Sequence, residues 1–186
     1  MKDVFVLHPE YFAPETIDEI IKCAEKLPVV PAKVGAEQVV DNIRRSELRW
    51  IHRSNDDFSS VFNCVEDLFQ KANQKSFGFD IKYLPSFQFT TYPSNITGHY
   101  DWHVDVFWQT EVFYQRKLSF VMQLTDPSEY EGGVLELDEW QKPDPELLKK
   151  RGSIVIFPSF VKHRVTPVTK GTRQSLVGWM EGPLWR

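Results

Sequence analysis

Thr90-Thr91-Tyr92-Pro93-Ser94-Asn95-Ile96-Thr97-Gly98-His99-Tyr100-Asp101-Trp102-His103-Val104-Asp105 is the stretch whose conformation decides the fold. Two spacings compete within it. His99 and His103 lie four apart, which on a helix puts both imidazoles on one face, as in the zinc pattern H-E-x-x-H. His103 and Asp105 lie two apart, which does the same on a strand. The neighbours settle the choice. Phe87, Phe89, Thr91 and Tyr92 are β formers, and Phe87-Gln88-Phe89 alternates apolar and polar. Pro93-Ser94-Asn95 reads as a turn, and Thr97-Gly98 disfavours a helix. Tyr100, not Glu, follows His99. The strand reading therefore stands, and it sends His103 and Asp105 out from one face.

Downstream the strand texture continues. Residues 117–125, 133–137, 153–157, 163–168 and 173–179 read as short strands. Asp126-Pro127, Glu131-Gly132-Gly133, Arg151-Gly152 and Lys170-Gly171 read as the turns between them. Residues 138–150 interrupt this series as a charged excursion with a helical turn after Pro143-Asp144-Pro145. Upstream, residues 4–7 suggest a first strand. Ile17, Ile20, Ile21, Ala24 and Leu27 recur at helical spacing after Pro14, and Pro28 ends that helix. Residues 29–41 read as a loop and residues 43–51 as one strand. A second helix, capped by Asp56-Asp57, carries Val61, Phe62, Val65, Leu68, Phe69 and Ala72. Two helices followed by many short strands indicate an α+β, mostly β chain forming a sandwich or barrel. We expect one domain over 1–186, with 1–82 supporting a β core over 83–186.

The 186 residues suit such a domain, and 14% aromatic content favours a wide β core. A net charge of −4 speaks against a nucleic-acid-binding surface. No apolar run approaches the roughly 18 residues of a membrane span, and residues 1–4 do not open a signal peptide. Cys23 and Cys64 are isolated and read as reduced thiols, consistent with a cytoplasmic protein.

His163 opens a strand after Phe157-Pro158-Ser159-Phe160 and is the natural third partner for His103 and Asp105. Two imidazoles and one carboxylate are the set that holds non-haem Fe(II) and leaves coordination positions open. His8 and His52 lack such neighbours and read as structural or surface groups. Arg173, ten residues after His163, is either an edge-strand arginine or a bidentate anchor for a dicarboxylate. Ser175 and Trp179 share its strand face. Tyr92 and Tyr100 are core aromatics or pocket groups, with packing favoured for Tyr100.

Together these residues resemble a known family. Tyr92 to Gly98 followed by Tyr100 to Asp105 is similar to the iron-binding region of prolyl hydroxylases, including the oxygen-sensing ones. Leu118-Ser119, Leu124 to Gly133 and His163 to Arg173 resemble the bacterial PKHD-type Fe(II)/2-oxoglutarate oxygenases. The resemblance runs from Tyr83 to Trp179, with a looser match at Ile43 to Ser46 and Trp50. It implies a double-stranded β-helix, a distorted, cupin-like jelly roll with N-terminal helices packed outside. It implies His103, Asp105 and His163 as metal ligands and catalytic centre, Arg173 on the distal carboxylate of 2-oxoglutarate, and Tyr92 beside it. Gln123 stands where the oxygen-sensing enzymes place a tyrosine against the cosubstrate. Fe(II), 2-oxoglutarate, O2 and ascorbate as reductant are the implied cofactors. A prolyl residue of a peptide or protein, in a bacterium or a phage-infected host cell, is the implied target. With Asp105 holding the carboxylate position, hydroxylation is expected over halogenation. Two rivals are an AlkB-like nucleobase demethylase, against which Trp179 stands where a second arginine is needed, and a non-catalytic metal-binding jelly-roll module. Arg44, Arg45 and Arg49 are either a peptide grip or a solvated strand edge. The 138–150 excursion is expected to line or cover the substrate entrance.

Overall fold

A computed structural model describes residues 1–32, 43–106, 108 and 113–185. Its strands are β1 (Val6–His8), β2 (Val30–Pro31), β3 (Arg44–Arg45), β4 (Glu47–His52), β5 (Ser86–Pro93), β6 (His99–His103), β7 (Tyr114–Gln123), β8 (Tyr130–Gly132), β9 (Leu135–Leu137), β10 (Ile154–Pro158), β11 (His163–Val165) and β12 (Val168–Pro183). The helices are α1 (Pro14–Glu25), α2 (Ser59–Ala72) and the short α3 (Pro145–Lys149). A large antiparallel sheet runs in the order β1-β10-β7-β12-β5-β4-β2, with β8 also pairing β12. A smaller sheet runs β3-β6-β11-β9.

Period-two alternation assigns the two faces of the large sheet. Phe87 and Phe89 of β5, Phe120 and Met122 of β7, and Leu176 and Met180 of β12 turn outward. There they meet Ile17, Ile20 and Ala24 of α1 and Val61, Phe62, Val65 and Phe69 of α2. Phe62 stacks on Phe87 with ring centroids 4.2 Å apart. The alternate residues, among them Gln88, Tyr92, Val121, Arg173, Ser175, Val177 and Trp179, face a cavity on the side away from this core. The helices thus lie outside, as the resemblance implies, and they hold the sheet that carries one wall of the cavity.

Several local readings are corrected. Residues 43–51 are not one strand. Arg44–Arg45 pairs with β6 in the small sheet, whereas Glu47–His52 pairs with β5 in the large one, so the chain crosses between sheets at Ser46. Within 29–41, Val30–Pro31 pairs with β4; residues 33–41 lie outside the described residues. Asn55, rather than Asp56 or Asp57, caps the second helical segment, its side chain accepting from the Asp57 N–H at 3.2 Å. Lys170-Gly171 is no turn. It sits inside β12, where Gly171 pairs with Tyr130, and its φ of +68° and close approach to the Glu129 carbonyl suit only glycine. Among the described residues, no helix is long and apolar enough to cross a membrane. Cys23 and Cys64 are free.

Candidate metal centre and its cavity

The small sheet brings the two histidines together. His103 ends β6 and His163 begins β11, and the two are register partners. Asp105 lies beyond the end of β6, not on the strand, yet it still converges on them. One ligand atom from each of the three lies within 4.8 Å of the others. The Nε2 of His103 is 3.7 Å from one Asp105 oxygen, and the Nε2 of His163 is 3.6 Å from the other.

Each ligand is held from behind. The Nδ1 of His103 pairs with the Asp101 carbonyl at 2.7 Å, and that of His163 with the Val161 carbonyl at 2.9 Å. With Nδ1–H donating to a carbonyl, each Nε2 lone pair is left for a metal. The Ser119 hydroxyl donates to Asp105 Oδ2 at 2.7 Å and also contacts Ser159 Oγ at 3.0 Å. The Asp105 N–H donates to the Ser159 carbonyl at 2.8 Å. Tyr100 stacks on His103 at 3.5 Å, and Phe157 meets His163 edge-on at 4.8 Å.

Electrostatics keep the set competent to bind a cation. Burial lowers the His103 pKa to about 4, with His163 adding to the effect, so the ring is neutral at pH 7. Burial by itself would raise the Asp105 pKa. The charges of His163, Arg116 and His103 and the Ser119 hydrogen bond outweigh it and bring the group down to about 2. A neutral imidazole and an ionised carboxylate are the required ligand forms.

The cavity in front of these ligands has a volume of about 560 Å³. Tyr92, Arg173, Ser175 and Trp179 all line it, as their strand positions imply. Arg173 is 3% exposed, and its Nη1 is buried with no hydrogen-bond partner. Its guanidinium carbon lies 5.6 Å from the Tyr92 ring. Gln123 does not reach this cavity. Its amide donates to the Thr125 carbonyl at 2.9 Å, and it lines a separate small cavity behind Arg173. The 138–150 excursion lies there too: Pro145, Leu148 and Lys149 line that rear cavity, and no residue of the excursion lines the main one. Arg44 lines the main cavity, whereas Arg45 and Arg49 do not.

Arg116 is a charged cavity residue that sequence reasoning missed. Simple alternation puts it on the helix side with Leu118 and Phe120. The register with β12 slips between Met180 and Glu181, so that Leu118 opposes Met180 but Arg116 opposes Glu181. This extra residue in β7 is a β-bulge, and it re-aims Arg116 into the cavity. Its guanidinium carbon lies 3.7 Å from the Trp179 ring centre. A similar slip between β6 and β11 lets Tyr100 and His103, three apart, face the cavity together.

A family model described as the 2OG-Fe(II) oxygenase superfamily matches residues 87–181. The chain belongs to this superfamily. Membership implies Fe(II), 2-oxoglutarate and O2 as cofactors. A PKHD-type hydroxylase of Synechococcus sp. (strain CC9311) is 45% identical over 84 residues, covering 45% of this chain and 37% of the relative. A PKHD-type hydroxylase of Gloeothece citriformis (strain PCC 7424) is 27% identical over 175 residues, covering 93% and 76%. The Synechococcus alignment thus spans little more than a third of that relative's length. Among solved structures, a Pseudomonas putida prolyl-4-hydroxylase aligns with a TM-score of 0.73 at 20% identity, over 95% of this chain and 91% of that one. A Trichoplax adhaerens prolyl hydroxylase, in complex with a hypoxia inducible factor peptide fragment, aligns with a TM-score of 0.74 at 17% identity, over 95% and 83%. These likenesses establish the jelly-roll fold of the superfamily. Two groups of residues in this member suit the implied cofactors. The two-imidazole, one-carboxylate donor set suits Fe(II). The buried, unpartnered nitrogen of Arg173 suits a carboxylate entering the same cavity.

Proposed function

We propose that this chain is an Fe(II)- and 2-oxoglutarate-dependent dioxygenase that hydroxylates a prolyl residue of a peptide or protein. The observation that carries the reading is the convergence of His103, Asp105, His163 and the buried, unpartnered Nη1 of Arg173 on one cavity. In this reading His103, Asp105 and His163 hold the iron, and Arg173 takes the distal carboxylate of 2-oxoglutarate, with Tyr92 and Ser175 beside it. When bound, the iron, cosubstrate and dioxygen supply the oxidising chemistry that places a hydroxyl on an unactivated C–H bond.

The chain's own residues orient and shield that chemistry. The Nδ1–carbonyl pairs keep both imidazole Nε2 atoms facing inward. Ser119 holds one oxygen of Asp105, which leaves the other for the metal. Trp50, Tyr100 and Trp179 line the cavity with flat apolar surface that suits a pyrrolidine ring. Arg44, whose Nη2 is buried without a hydrogen-bond partner, adds a donor beside them for a carbonyl of a bound peptide. The names of the relatives support a prolyl target, and two free cysteines accord with a cytoplasmic setting.

Purified protein given Fe(II), 2-oxoglutarate and ascorbate should form succinate in air and none under argon. Prolyl peptides should gain one oxygen by mass spectrometry. Succinate without oxygen gain on any prolyl peptide would keep the oxygenase and remove the prolyl target.

A further inference from the structure

We infer that Gly133 and Tyr130, which both lie outside the main cavity, are the positioning residues that aim Arg173 into it. The inference rests on the reading of Arg173 as the cosubstrate anchor. Arg173 sits on β12 with its stem crossing the segment that follows β8. A methyl group placed on Gly133 would lie 2.8 Å from the Arg173 Cδ, 2.9 Å from Val168 Cγ2 and 3.3 Å from Tyr130 Cε2. Three side chains therefore converge on the one point where residue 133 has no side chain. The Gly133 backbone cannot retreat to make room, because its N–H donates to the Pro167 carbonyl at 3.1 Å. Its φ of +57° also favours glycine.

Tyr130 closes the other side. It is 6% exposed and lines the rear cavity together with Arg173. Burial raises the pKa of its phenol, while the Arg173 guanidinium beside it, through its charge and as hydrogen-bond donor to the phenol oxygen, pulls it back. Gln123, another polar group lining this spot, is committed to the Thr125 carbonyl. The rear cavity has a volume of only about 10 Å³, with Leu148 and Pro145 of the α3 region on its far wall. That is room for about one water, not for a guanidinium. Arg173 therefore has no rearward position to swing into, and its free Nη1 is kept available.

The test is N-oxalylglycine binding to Mn(II)-loaded protein by calorimetry, with Mn(II) affinity measured separately. Wild type should bind the analogue and Arg173→Ala should not. Tyr130→Phe, which keeps the ring, should weaken N-oxalylglycine on the order of tenfold and leave Mn(II) affinity unchanged. Gly133→Ala should weaken it at least as much. Wild-type affinity for N-oxalylglycine in Tyr130→Phe overturns the inference while leaving Arg173 as the anchor. Parallel loss of Mn(II) and analogue binding also overturns it, since that marks a general structural role. Failure of wild type itself to bind the analogue defeats the cosubstrate reading and this inference with it.

Discussion

At the proposed metal end of the cavity each candidate ligand is already held by the protein: His103 by the Asp101 carbonyl, His163 by the Val161 carbonyl, and Asp105 by Ser119 and the Ser159 carbonyl. At the Arg173 end the guanidinium is confined by packing, and one of its nitrogens has no hydrogen-bond partner. The first end comes mainly from the small sheet, the second from β12 of the large one. The difference is instructive. A metal site needs its ligands pre-aimed, because outer hydrogen bonds set tautomer, rotamer and basicity. A ligand-binding site instead gains affinity from a buried charged donor that is satisfied only when the ligand arrives.

The comparison can be broken most severely at the metal end. Asp105→Ala should abolish succinate formation and the thermal stabilisation that added metal confers; metal-dependent stabilisation surviving in that variant would remove Asp105 from the ligand set. Next in size is Arg173→Ala, which removes a buried charge that the ligand would complete. It should weaken 2-oxoglutarate binding by about 2–5 kcal/mol yet leave metal affinity intact, measured by titrating each ligand separately. If metal affinity fell equally, the two ends would not be independent. Ser119→Ala should act in the opposite sense, lowering metal affinity roughly 10- to 100-fold, with cosubstrate affinity at saturating metal little changed.

The smallest effect concerns acid and sharpens the metal end alone. An ordinary histidine titrates near 6.5, and His103 is lowered to about 4 in the fold, chiefly by burial. Between those values the unfolded chain binds more protons than the folded one, so stability rises with pH across that window. Metal-free protein should thus hold its melting temperature near neutrality and lose several degrees as pH falls from about 6.5 toward 4. Asp105, lowered from 3.8 to about 2, extends the loss below that range. His103→Asn should flatten the upper part of the curve; an unchanged curve would assign the acid sensitivity elsewhere.

Much of the site was legible in residue order, because strand periodicity is a local property. The H-x-D spacing kept His103 and Asp105 close, although Asp105 lies past the end of β6 and strand alternation does not set its aim; alternation along residues 173–179 put Arg173, Ser175 and Trp179 together, without reference to any partner strand. The helix stripes at residues 17–24 and 61–72 were equally local. What escaped depended on pairing. Arg116 enters the cavity only because β7 carries a bulge opposite Met180 and Glu181. The strand expected over 43–51 divides because its two halves find partners in different sheets. Gln123 and the 138–150 excursion, both expected near ligands, lie behind Arg173, where Tyr130 and Gly133 stand instead. Sequence alone determined which groups could bind a metal and a carboxylate, since that is set by side-chain chemistry and the two-residue repeat. Only the tertiary structure decided how those groups are aimed, since bulges, register and cross-strand packing arise from segments that meet only on folding.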